Sequence, residues 1–429
     1  MTTSTHSLET TDVAALCQTL ADRAQAASQS LCTVPGRVRD QALRKIAEQL
    51  LASADALKQA NALDLQAGKD NGLSSAMLDR LKLDDKRIQS MADSVRQVAD
   101  QTDPVGRILE GRVLPNGIQL QKVRVPIGVI LIIFESRPNV TSDAAALCLK
   151  SGNAVILRGG KEAVNSNKAI ATCVQAGLKD AGIDQYAVQL VPTTDRAAVG
   201  ELLRKQGQID VCIPRGGESL IRAVVEQSHI PVIKHYAGNC HVYIDAECDD
   251  RMAVDICVNA KTQRPGVCNS AETILIHKDA ADRGLLKGLG RALTDRGVEI
   301  RGCDRTRKDI PDAKPATEDD WHEEYLDLIV AVRVVDSLDQ AIEHINQYGS
   351  KHTDAIVTSR LDSADAFVKR VDTANVFVNC STRFSDGGVY GLGAEIGIST
   401  DKLHARGPMG ADDLTTYKWV AYGTGQIRP

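Results

Sequence analysis

The chain has 429 residues, 43% of them hydrophobic and 25% charged, which is enough for two or three domains with sizeable cores. Its formal net charge of −5 at pH 7 argues against a nucleic-acid-binding surface, so no nucleic-acid partner is expected. There is no basic start followed by an apolar segment, and no run of about 18 apolar residues, so neither a signal peptide nor a membrane span is predicted.

The eleven cysteines are scattered along the chain and include no CxxC pair. This spacing makes a zinc site unexpected, and no metal is predicted. Most of the cysteines stand in apolar contexts, where a free cysteine behaves as a small hydrophobic residue. Many unpaired thiols are typical of a reducing compartment, so we predict a cytoplasmic protein.

The N-terminal region, to about residue 101, shows helical spacing of apolar side chains and predicts helices only. Its first ten residues, rich in Thr and Ser, are expected to be disordered. Pro115-Asn116-Gly117 then separates two alternating runs and predicts a hairpin.

From Val129 the chain alternates between apolar strands and helices. The run "VILIIF" is typical of a parallel strand covered on both faces. Further strands are predicted at "NAVILRG", "AVQLVP", "IDVCIP" and "PVIKHY", each separated from the next by a helix. This alternation predicts a doubly wound parallel sheet.

A second α/β series begins after Asp249, with a helix to about Gln263 and a loop that contains Cys268. Strands are predicted at "ETILIH", "VEI", "DLIVAVRVV", "DAIVTS" and "NVFVNC". Near the C-terminus "TTYKWVAYG" predicts a strand with no neighbour in sequence. Because an open strand edge is a liability, this strand must pair elsewhere.

Two glycine-rich turns, Gly159-Gly160 and Gly216-Gly217, follow strands of the first α/β series. Glycine lets backbone N–H groups approach a phosphate, and a helix start favours negative charge. Each turn alone is better explained by a plain tight turn, but two such turns at strand ends of one sheet together indicate a nucleotide site. Arg158 and Lys161 would suit a 2′-phosphate, the alternative being two solvated surface charges.

Cys268 lies in "TQRPGVCNSAET", just before a predicted buried strand. A cysteine attacks as its thiolate, which nearby amides or positive charge stabilise. Arg264, Lys261 and the loop amides could supply that stabilisation. From the residues alone, we predict a nicotinamide-dependent enzyme with a thiol nucleophile.

Five long motifs carry a family resemblance: "VPIGVILIIFESRPNVTSDAAALCLKSGNAVILRGGKEA", "PRGGESLI", "TQRPGVCNSAETILIH", "AIEHINQYGSKHTDAIVT" and "GLGAEIGISTDKLHARGPMG". On these motifs the chain, from about residue 12 to 425, resembles the gamma-glutamyl phosphate reductases of the aldehyde dehydrogenase superfamily. The resemblance implies an aldehyde dehydrogenase-like α/β fold: two doubly wound α/β domains, a helical N-terminal region and a β oligomerisation segment.

The resemblance also divides the chain. It implies an NADP-binding domain at 1–108 and 126–248, a catalytic domain at 249–383, an oligomerisation segment at 109–125 and 411–429, and a substrate or cofactor loop at 384–410 that returns to the first domain. The strand at 415–423 would then pair with the sheet of another subunit in a homo-oligomer.

Individual residues acquire implied roles. Cys268 matches the superfamily's nucleophile. Lys161 stands where NAD-preferring members place a glutamate, which favours NADPH/NADP. Arg158 stands where a lysine usually lies near the adenosine ribose, and Glu324 resembles the glutamate that holds the nicotinamide ribose. The implied cofactor-binding residues are Arg158, Lys161, Gly216, Gly217, Glu218, Ser219 and Glu324.

Two departures from the superfamily matter. Hydrolytic members carry a glutamate before a Gly-Gly to activate water, whereas "KHYAGN" places His235 or Tyr236 there and no carboxylate. The Trp-Asn that supplies an oxyanion-hole amide is also missing, and Asn139 and the backbone N–H of Cys268 are candidate replacements. We therefore expect poor activation of water.

The implied activity is that of a phosphorylating glutamate-5-semialdehyde dehydrogenase, the second step of proline biosynthesis from glutamate. It reduces L-glutamyl 5-phosphate with NADPH, through a Cys268 thioester, to L-glutamate 5-semialdehyde and phosphate. Arg137, Glu395 and Arg406 are candidate substrate contacts, although each is equally explained as a structural salt bridge. A transient contact with the preceding glutamate kinase is also implied.

Two alternatives remain. One is another acyl-phosphate or aldehyde dehydrogenase with a different substrate, which the long motif "AIEHINQYGSKHTDAIVT" disfavours. The other is a non-catalytic oligomeric binding protein on the same fold, which the presence of Cys268 and both glycine turns disfavours.

Overall fold

The computed structural model describes residues 12–428, which form two compact units. The first unit contains the chain up to Ile233, Leu392–Ile396, and the chain from Gly410 onward. The second unit contains Lys234–Gly391 and Gly397–Met409. The disorder expected for the first ten residues lies outside the described residues.

The first unit begins with helices, as the spacing of apolar side chains predicts. Helices α1 to α5 are Val13–Leu31, Gly36–Ala52, Ala54–Asp70, Ser75–Leu81 and Asp85–Asp100. In α5 every third or fourth side chain is buried, from Ile88 to Ala99. The helix starts where Asp84 accepts the Arg87 backbone N–H and so satisfies an amide that has no partner within the helix.

A hairpin and a parallel sheet follow in the same unit. Strands β1 (Ile108–Val113) and β2 (Gln119–Pro126) pair antiparallel, which confirms the predicted hairpin. The strands of the parallel sheet are β3 (Val129–Phe134), β4 (Ala154–Gly159), β5 (Val188–Leu190) and β6 (Val211–Arg215), in the order β5–β4–β3–β6. Helices α6 to α9 connect and follow them: Val140–Lys150, Val164–Asp180, Ala197–Leu203 and Glu218–Gln227.

The carboxyl ends of these strands share one edge of the sheet. Phe134 of β3 is level with Gly159 of β4 on one side and with Arg215 of β6 on the other. All six residues of β3 are buried, as expected for a strand with neighbours on both sides. The glycine turns that follow β4 and β6 therefore lie at the same sheet edge.

The second unit is built on another parallel sheet. Its strands are β7 (Cys240–Ile244), β8 (Ala271–His277), β9 (Glu299–Gly302), β10 (Lys314–Pro315), β11 (Ile329–Val335), β12 (Thr353–Val357) and β13 (Asn375–Val378). They lie in the order β10–β9–β11–β8–β7–β12–β13. The helices are α10 to α15: Asp250–Thr262, Lys278–Asp282, Leu285–Thr294, Asp304–Asp309, Leu338–Tyr348 and Leu361–Arg370.

The domain boundary predicted at residue 248 is wrong. Strand β7 lies between β8 and β12, so the residues from 234 to 248 belong to the second unit and not to the first. The predicted strand "PVIKHY" contributes only an isolated bridge between Val232 and Cys212. A short apolar run does not reveal which strands will lie beside it. The next run, "CHVYI", forms β7 and has a neighbouring strand on each side.

The segment predicted at 384–410 also departs from expectation. Only Leu392–Ile396 lies in the first unit; the residues on either side belong to the second. There β14 (Gly397–Ser399) and β15 (Gly407–Met409) form a small antiparallel pair.

The last strand, β16 (Thr415–Tyr422), pairs antiparallel with β2 of its own chain along its whole length. Its other edge is the outer edge of the sheet β1–β2–β16, so the expected pairing of this strand with another subunit stays a prediction for that edge. The hairpin supplies a partner far away in sequence, which local patterning cannot indicate. Among residues 12–428, none of the helices combines the length and the apolar character that crossing a membrane requires.

Candidate active site

Cys268 is half-buried in the loop between α10 and β8 of the second unit. The two residues that follow it hold this loop in place. The Asn269 side-chain amide donates to the Ser385 carbonyl at 2.7 Å, and the Ser270 hydroxyl donates to the Ala260 carbonyl at 3.2 Å. Both side chains are buried. The polar residues beside the cysteine therefore anchor it between α10 and the segment at Ser385.

The residues before β7 pack directly on the main chain of Cys268. A Cβ atom on Gly238 would lie 2.0 Å from the Cys268 carbonyl oxygen and 2.4 Å from its Cα. The Cys240 thiol donates to the same carbonyl at 3.1 Å. Only glycine permits so close a backbone approach.

We expect Gly238→Ala to destabilise the protein by about 1–3 kcal/mol, the usual effect of overpacking, and to lower the alkylation rate of Cys268. The methyl group would push the Cys268 backbone from its position. Urea unfolding and iodoacetamide labelling measure the two effects.

Gly288→Ala in α12 is the matched control, since no atom lies within 4 Å of the added methyl group. It should stabilise the helix by about 0.5–1 kcal/mol. Equal stability and labelling for Gly238→Ala and the wild type would show that the contact with Cys268 does not matter.

Two imidazoles lie beside the thiol. One ligand atom from each of His235, Cys268 and His352 lies within 4.8 Å of the other two. Nδ1 of the buried His352 is 2.9 Å from the Thr353 hydroxyl, which itself donates to Ser385. The Thr353 oxygen therefore accepts the Nδ1–H, and Nε2 carries the lone pair.

A neutral imidazole with a lone pair close to a thiol can take the thiol proton. The sequence indicated His235 near this position but did not indicate His352. His352 lies in the motif "AIEHINQYGSKHTDAIVT", too far along the chain from Cys268 for any spacing to reveal the pair.

Of the two basic residues that the sequence indicated as support for the Cys268 thiolate, Lys261 is paired elsewhere. Lys261 is fully buried and donates to Glu272 at 2.5 Å, so its charge is used within that pair. Burial raises the pKa of Glu272 to about 8 and lowers the pKa of Lys261. Lys261 is therefore a structural residue.

Arg383, which the sequence analysis did not select, interacts electrostatically with the cysteine. Burial lowers the pKa of its guanidinium and Arg264 lowers it further, while Asp386 and Cys268 act in the opposite direction. Arg264 and Arg383 thus share an electrostatic neighbourhood with Cys268. Two guanidinium groups there favour an anionic substrate.

The candidate nucleotide residues of the first unit lie at the sheet edge described above. Arg158 donates to the carbonyls of Gly159 and Thr194, both at 3.1 Å, and so connects the end of β4 to the segment after β5. Lys161 is exposed. Its neighbour Glu162 accepts hydrogen bonds from the backbone N–H and hydroxyl of Ser136 at 2.5 and 2.9 Å. Lys161 therefore presents positive charge at this edge while the adjacent carboxylate is occupied.

The two glycines of the second turn have different surroundings. A Cβ on Gly216 would lie 2.4 Å from Oε2 of Glu135, whereas a Cβ on Gly217 would meet nothing within 4 Å. The Gly217 N–H donates to Glu135 at 3.1 Å. A phosphate group at this turn would thus compete with the Glu135 carboxylate.

The start of α9 completes this edge. Gly217 is the N-cap of α9, and Glu218 and Ser219 in its first turn are exposed. Glu218 pairs with Arg222 at 2.5 Å. Open space beside Gly217, a helix start and the exposed Lys161 fit an anionic nucleotide.

Asn139, predicted to complete an oxyanion hole, belongs to the first unit at the start of α6. Its amide donates to Asp143 at 2.8 Å, and burial raises the pKa of that carboxyl to about 6. One of the two N–H donors of the Asn139 amide is therefore used within its own helix.

The remaining predicted residues are distributed over both units. Glu395 pairs with Arg215 at 3.7 Å, and Arg406 pairs with Asp372 at 2.8 Å, so both make the salt bridges that the sequence left as an alternative. Arg137 is exposed in the first unit, and Glu324 is half-buried in the second, before β11.

The two α/β sheets and the cysteine loop are those of an aldehyde dehydrogenase, and the sequence model of the aldehyde dehydrogenase family matches residues 5–299. Within that family, the gamma-glutamyl phosphate reductase of Moorella thermoacetica is 55% identical over 97% of this chain and 100% of the relative. The chain belongs to the gamma-glutamyl phosphate reductases of the aldehyde dehydrogenase family.

Solved structures agree with this assignment. The gamma-glutamyl phosphate reductase of Thermotoga maritima is 44% identical, with a TM-score of 0.94, over 96% of this chain and 100% of that one. An engineered glycolyl-CoA reductase with bound NADP⁺ is 16% identical, with a TM-score of 0.67 over 94% of this chain and 96% of that one, and shares the fold. The predicted family and aldehyde dehydrogenase-like fold are confirmed.

Proposed function

We propose that this chain reduces L-glutamyl 5-phosphate with NADPH to L-glutamate 5-semialdehyde and phosphate, with Cys268 as the nucleophile. Membership of the gamma-glutamyl phosphate reductases supports an oxidoreductase of proline biosynthesis. The observation that carries the mechanism is that His235 and His352 lie beside Cys268, whose loop is anchored by Asn269 and Ser270.

The first step is acyl transfer to sulfur. Nε2 of His352 takes the proton of the Cys268 thiol, and Thr353 keeps the ring in the required tautomer. The thiolate attacks the acyl carbon, a sulfur–carbon bond forms, and the bond to the phosphate oxygen breaks with its electron pair on phosphate. The charges of Arg264 and Arg383 stabilise the departing anion.

The second step is reduction of the thioester. When bound, the cofactor supplies the hydride that the thioester carbon accepts. The sulfur–carbon bond then breaks, the semialdehyde leaves, and the Cys268 thiolate is restored. The backbone N–H of Cys268 and the second N–H of the Asn139 amide, whose first N–H is used by Asp143, are the candidates for stabilising the developing oxyanion, where one donor contributes about 3 kcal/mol.

A nicotinamide cofactor fits the sheet edge of the first unit. Gly217 and the first turn of α9, with Glu218 and Ser219, would hold its phosphates, and Lys161 would face the 2′-phosphate of NADPH. Arg158 would support the adenosine ribose from the end of β4. In the second unit Glu324 would hold the nicotinamide ribose.

We expect Lys161→Glu to lower the preference for NADPH over NADH by at least about tenfold, since a charge of opposite sign would face a doubly charged phosphate. Titrations of both cofactors measure the ratio. The effect should shrink at high salt because Lys161 is exposed.

Lys168→Glu is the matched control, an exposed lysine seven positions further along the chain. It should leave the cofactor ratio unchanged. A Lys161→Glu variant with the wild-type ratio would remove Lys161 from the cofactor site.

The sheet of β1, β2 and β16 is proposed to join subunits of a homo-oligomer. Apolar and aromatic side chains are exposed on it, including Val113, 68% exposed, and Trp419, 48% exposed. Exposed apolar patches of this kind mark interaction surfaces. A transient contact with the preceding glutamate kinase is proposed as well, in order to pass on a labile acyl phosphate.

Oxidation of the product by purified protein tests the function. Glutamate 5-semialdehyde, NADP⁺ and phosphate should yield NADPH, detected by its absorbance. Acetaldehyde with coenzyme A in place of phosphate should yield little. Efficient turnover of acetaldehyde with coenzyme A, and none of glutamate 5-semialdehyde with phosphate, would identify an acylating aldehyde dehydrogenase. A protein that binds the cofactor but turns over neither substrate would be a binding protein.

A further inference from the structure

We infer that Cys268, His235 and His352 form a reversible binding site for a soft divalent cation such as Zn²⁺, which blocks the nucleophile while it is bound. One ligand atom from each residue lies within 4.8 Å of the other two. One thiolate sulfur and two imidazole nitrogens form a donor set that Zn²⁺ prefers. The inhibitory consequence rests on the proposed role of Cys268, whereas the binding itself does not.

His352 is prepared to act as a ligand. Its Nδ1 is 2.9 Å from the Thr353 oxygen, which donates to Ser385 and accepts from Asn375 at 3.3 Å. A hydroxyl has one donor and two acceptor positions, so the second acceptor position takes the Nδ1–H of His352. A histidine that binds a metal typically donates its other ring N–H in this way, which leaves Nε2 to offer its lone pair to the ion.

The distances require only a small contraction. Zn–N bonds of about 2.0–2.1 Å and Zn–S bonds of about 2.3 Å place neighbouring ligand atoms of a tetrahedral site about 3.3–3.6 Å apart. The three atoms here are within 4.8 Å, so movements of about 1 Å bring them to a common ion. Cys268 and His235 are half-buried and lie outside the helices and strands, where such movements are easiest.

The surroundings predict moderate affinity. Three protein ligands leave the fourth position of the ion open to water, as in zinc sites that exchange their ligands. Arg264 and Arg383 oppose additional positive charge near Cys268. Binding replaces the thiol proton by the ion and releases that proton to solvent. The sulfur lone pair is then bonded to the metal, so Cys268 can attack neither an acyl phosphate nor an alkylating reagent.

Cobalt titration of the metal-free full-length protein tests the site. Co²⁺ alone should produce a thiolate-to-cobalt charge-transfer absorption that saturates at one ion per chain, and Zn²⁺ should abolish it by displacing the cobalt. Cys268→Ser should lack the absorption. His235→Asn and His352→Asn should each weaken binding by more than about tenfold, and Thr353→Val by about 10–100-fold through loss of the ring's hydrogen bond.

Two other changes serve as controls. Cys303→Ser removes another half-buried thiol. Burial raises the pKa of this thiol, but hydrogen bonds from Thr306 and backbone amides lower it by more, so the net shift is downward. His229→Asn removes an exposed imidazole of the first unit. Both should bind cobalt like the wild type. If circular dichroism shows that His352→Asn does not fold, His235→Asn and Thr353→Val still decide the result.

The inference is overturned if no sulfur-to-cobalt absorption forms, if the absorption survives Cys268→Ser, or if neither His235→Asn nor Thr353→Val weakens binding. These measurements need neither substrate nor cofactor. A protein that binds cobalt as expected but does not oxidise glutamate 5-semialdehyde would refute the proposed function alone. A protein that oxidises glutamate 5-semialdehyde but does not bind cobalt would refute the metal site alone.

Discussion

Replacement of Cys268 by alanine is expected to abolish reduction of the acyl phosphate, with a loss of more than about 10⁴-fold in kcat, because no other group can carry the acyl intermediate. NADPH binding should remain nearly intact. Cys268 belongs to the second unit, whereas Lys161, Gly217 and the start of α9 belong to the first. Turnover and cofactor fluorescence, measured on the same preparation, test the expected loss of activity and the expected retention of NADPH binding.

Cys32→Ala is the matched control, an exposed cysteine in the turn that follows α1. It should leave both turnover and cofactor binding at wild-type values. Substantial turnover by Cys268→Ala would mean that the nucleophile has been assigned to the wrong residue. A loss of NADPH binding together with turnover would mean that the substitution acts on the fold.

Oxidation of glutamate 5-semialdehyde is expected to require phosphate or arsenate. The segment "KHYAGN" provides no carboxylate where hydrolytic members place their general base, and such a base contributes about 10²–10⁴-fold. The thioester on Cys268 should therefore persist until phosphate attacks it. NADPH formation with and without phosphate should differ by a factor in that range.

His235 is the residue that could overturn this expectation, since it lies within 4.8 Å of the Cys268 and His352 ligand atoms and a neutral imidazole can activate water. His352 is less suited to this role, because in the proposed mechanism it already holds the proton of the thiol. The second arm of the experiment is His235→Ala, with the exposed His322→Ala as control. Rapid turnover without phosphate, lost only in His235→Ala, would identify a hydrolytic dehydrogenase with an unusual base.

Several features of the active site could be predicted from local sequence. "VILIIF" is buried at all six positions because a continuous apolar run has no polar face to expose to solvent. Cys268 stands out because of the polar residues that follow it, and the structure explains them: the side chains of Asn269 and Ser270 anchor the loop. The Gly216-Gly217 turn follows from its position between a buried strand and a helix.

Other features depended on partners far away in sequence. Lys261 was expected to support the thiolate, but it lies in a buried pair with Glu272, whose presence opposite Lys261 depends on the packing of α10 against β8. His352 reaches Cys268 only because β12 lies beside β7 in the sheet. The requirement for glycine at position 238 also depends on a distant segment, since a Cβ atom at this position would clash with the main chain of Cys268.

The sequence by itself determined the alternation of strands and helices, the hairpin and the family, and it singled out Cys268 as the predicted nucleophile, because local patterns and long contiguous motifs carry this information. Tertiary structure alone decided that β7 lies between β8 and β12 in the second sheet, that β16 pairs with β2, that two imidazoles lie beside the thiol, and that Arg383 interacts electrostatically with it. Periodicity reports which face of an element is buried but not which element covers it, since strand order depends on contacts between distant segments.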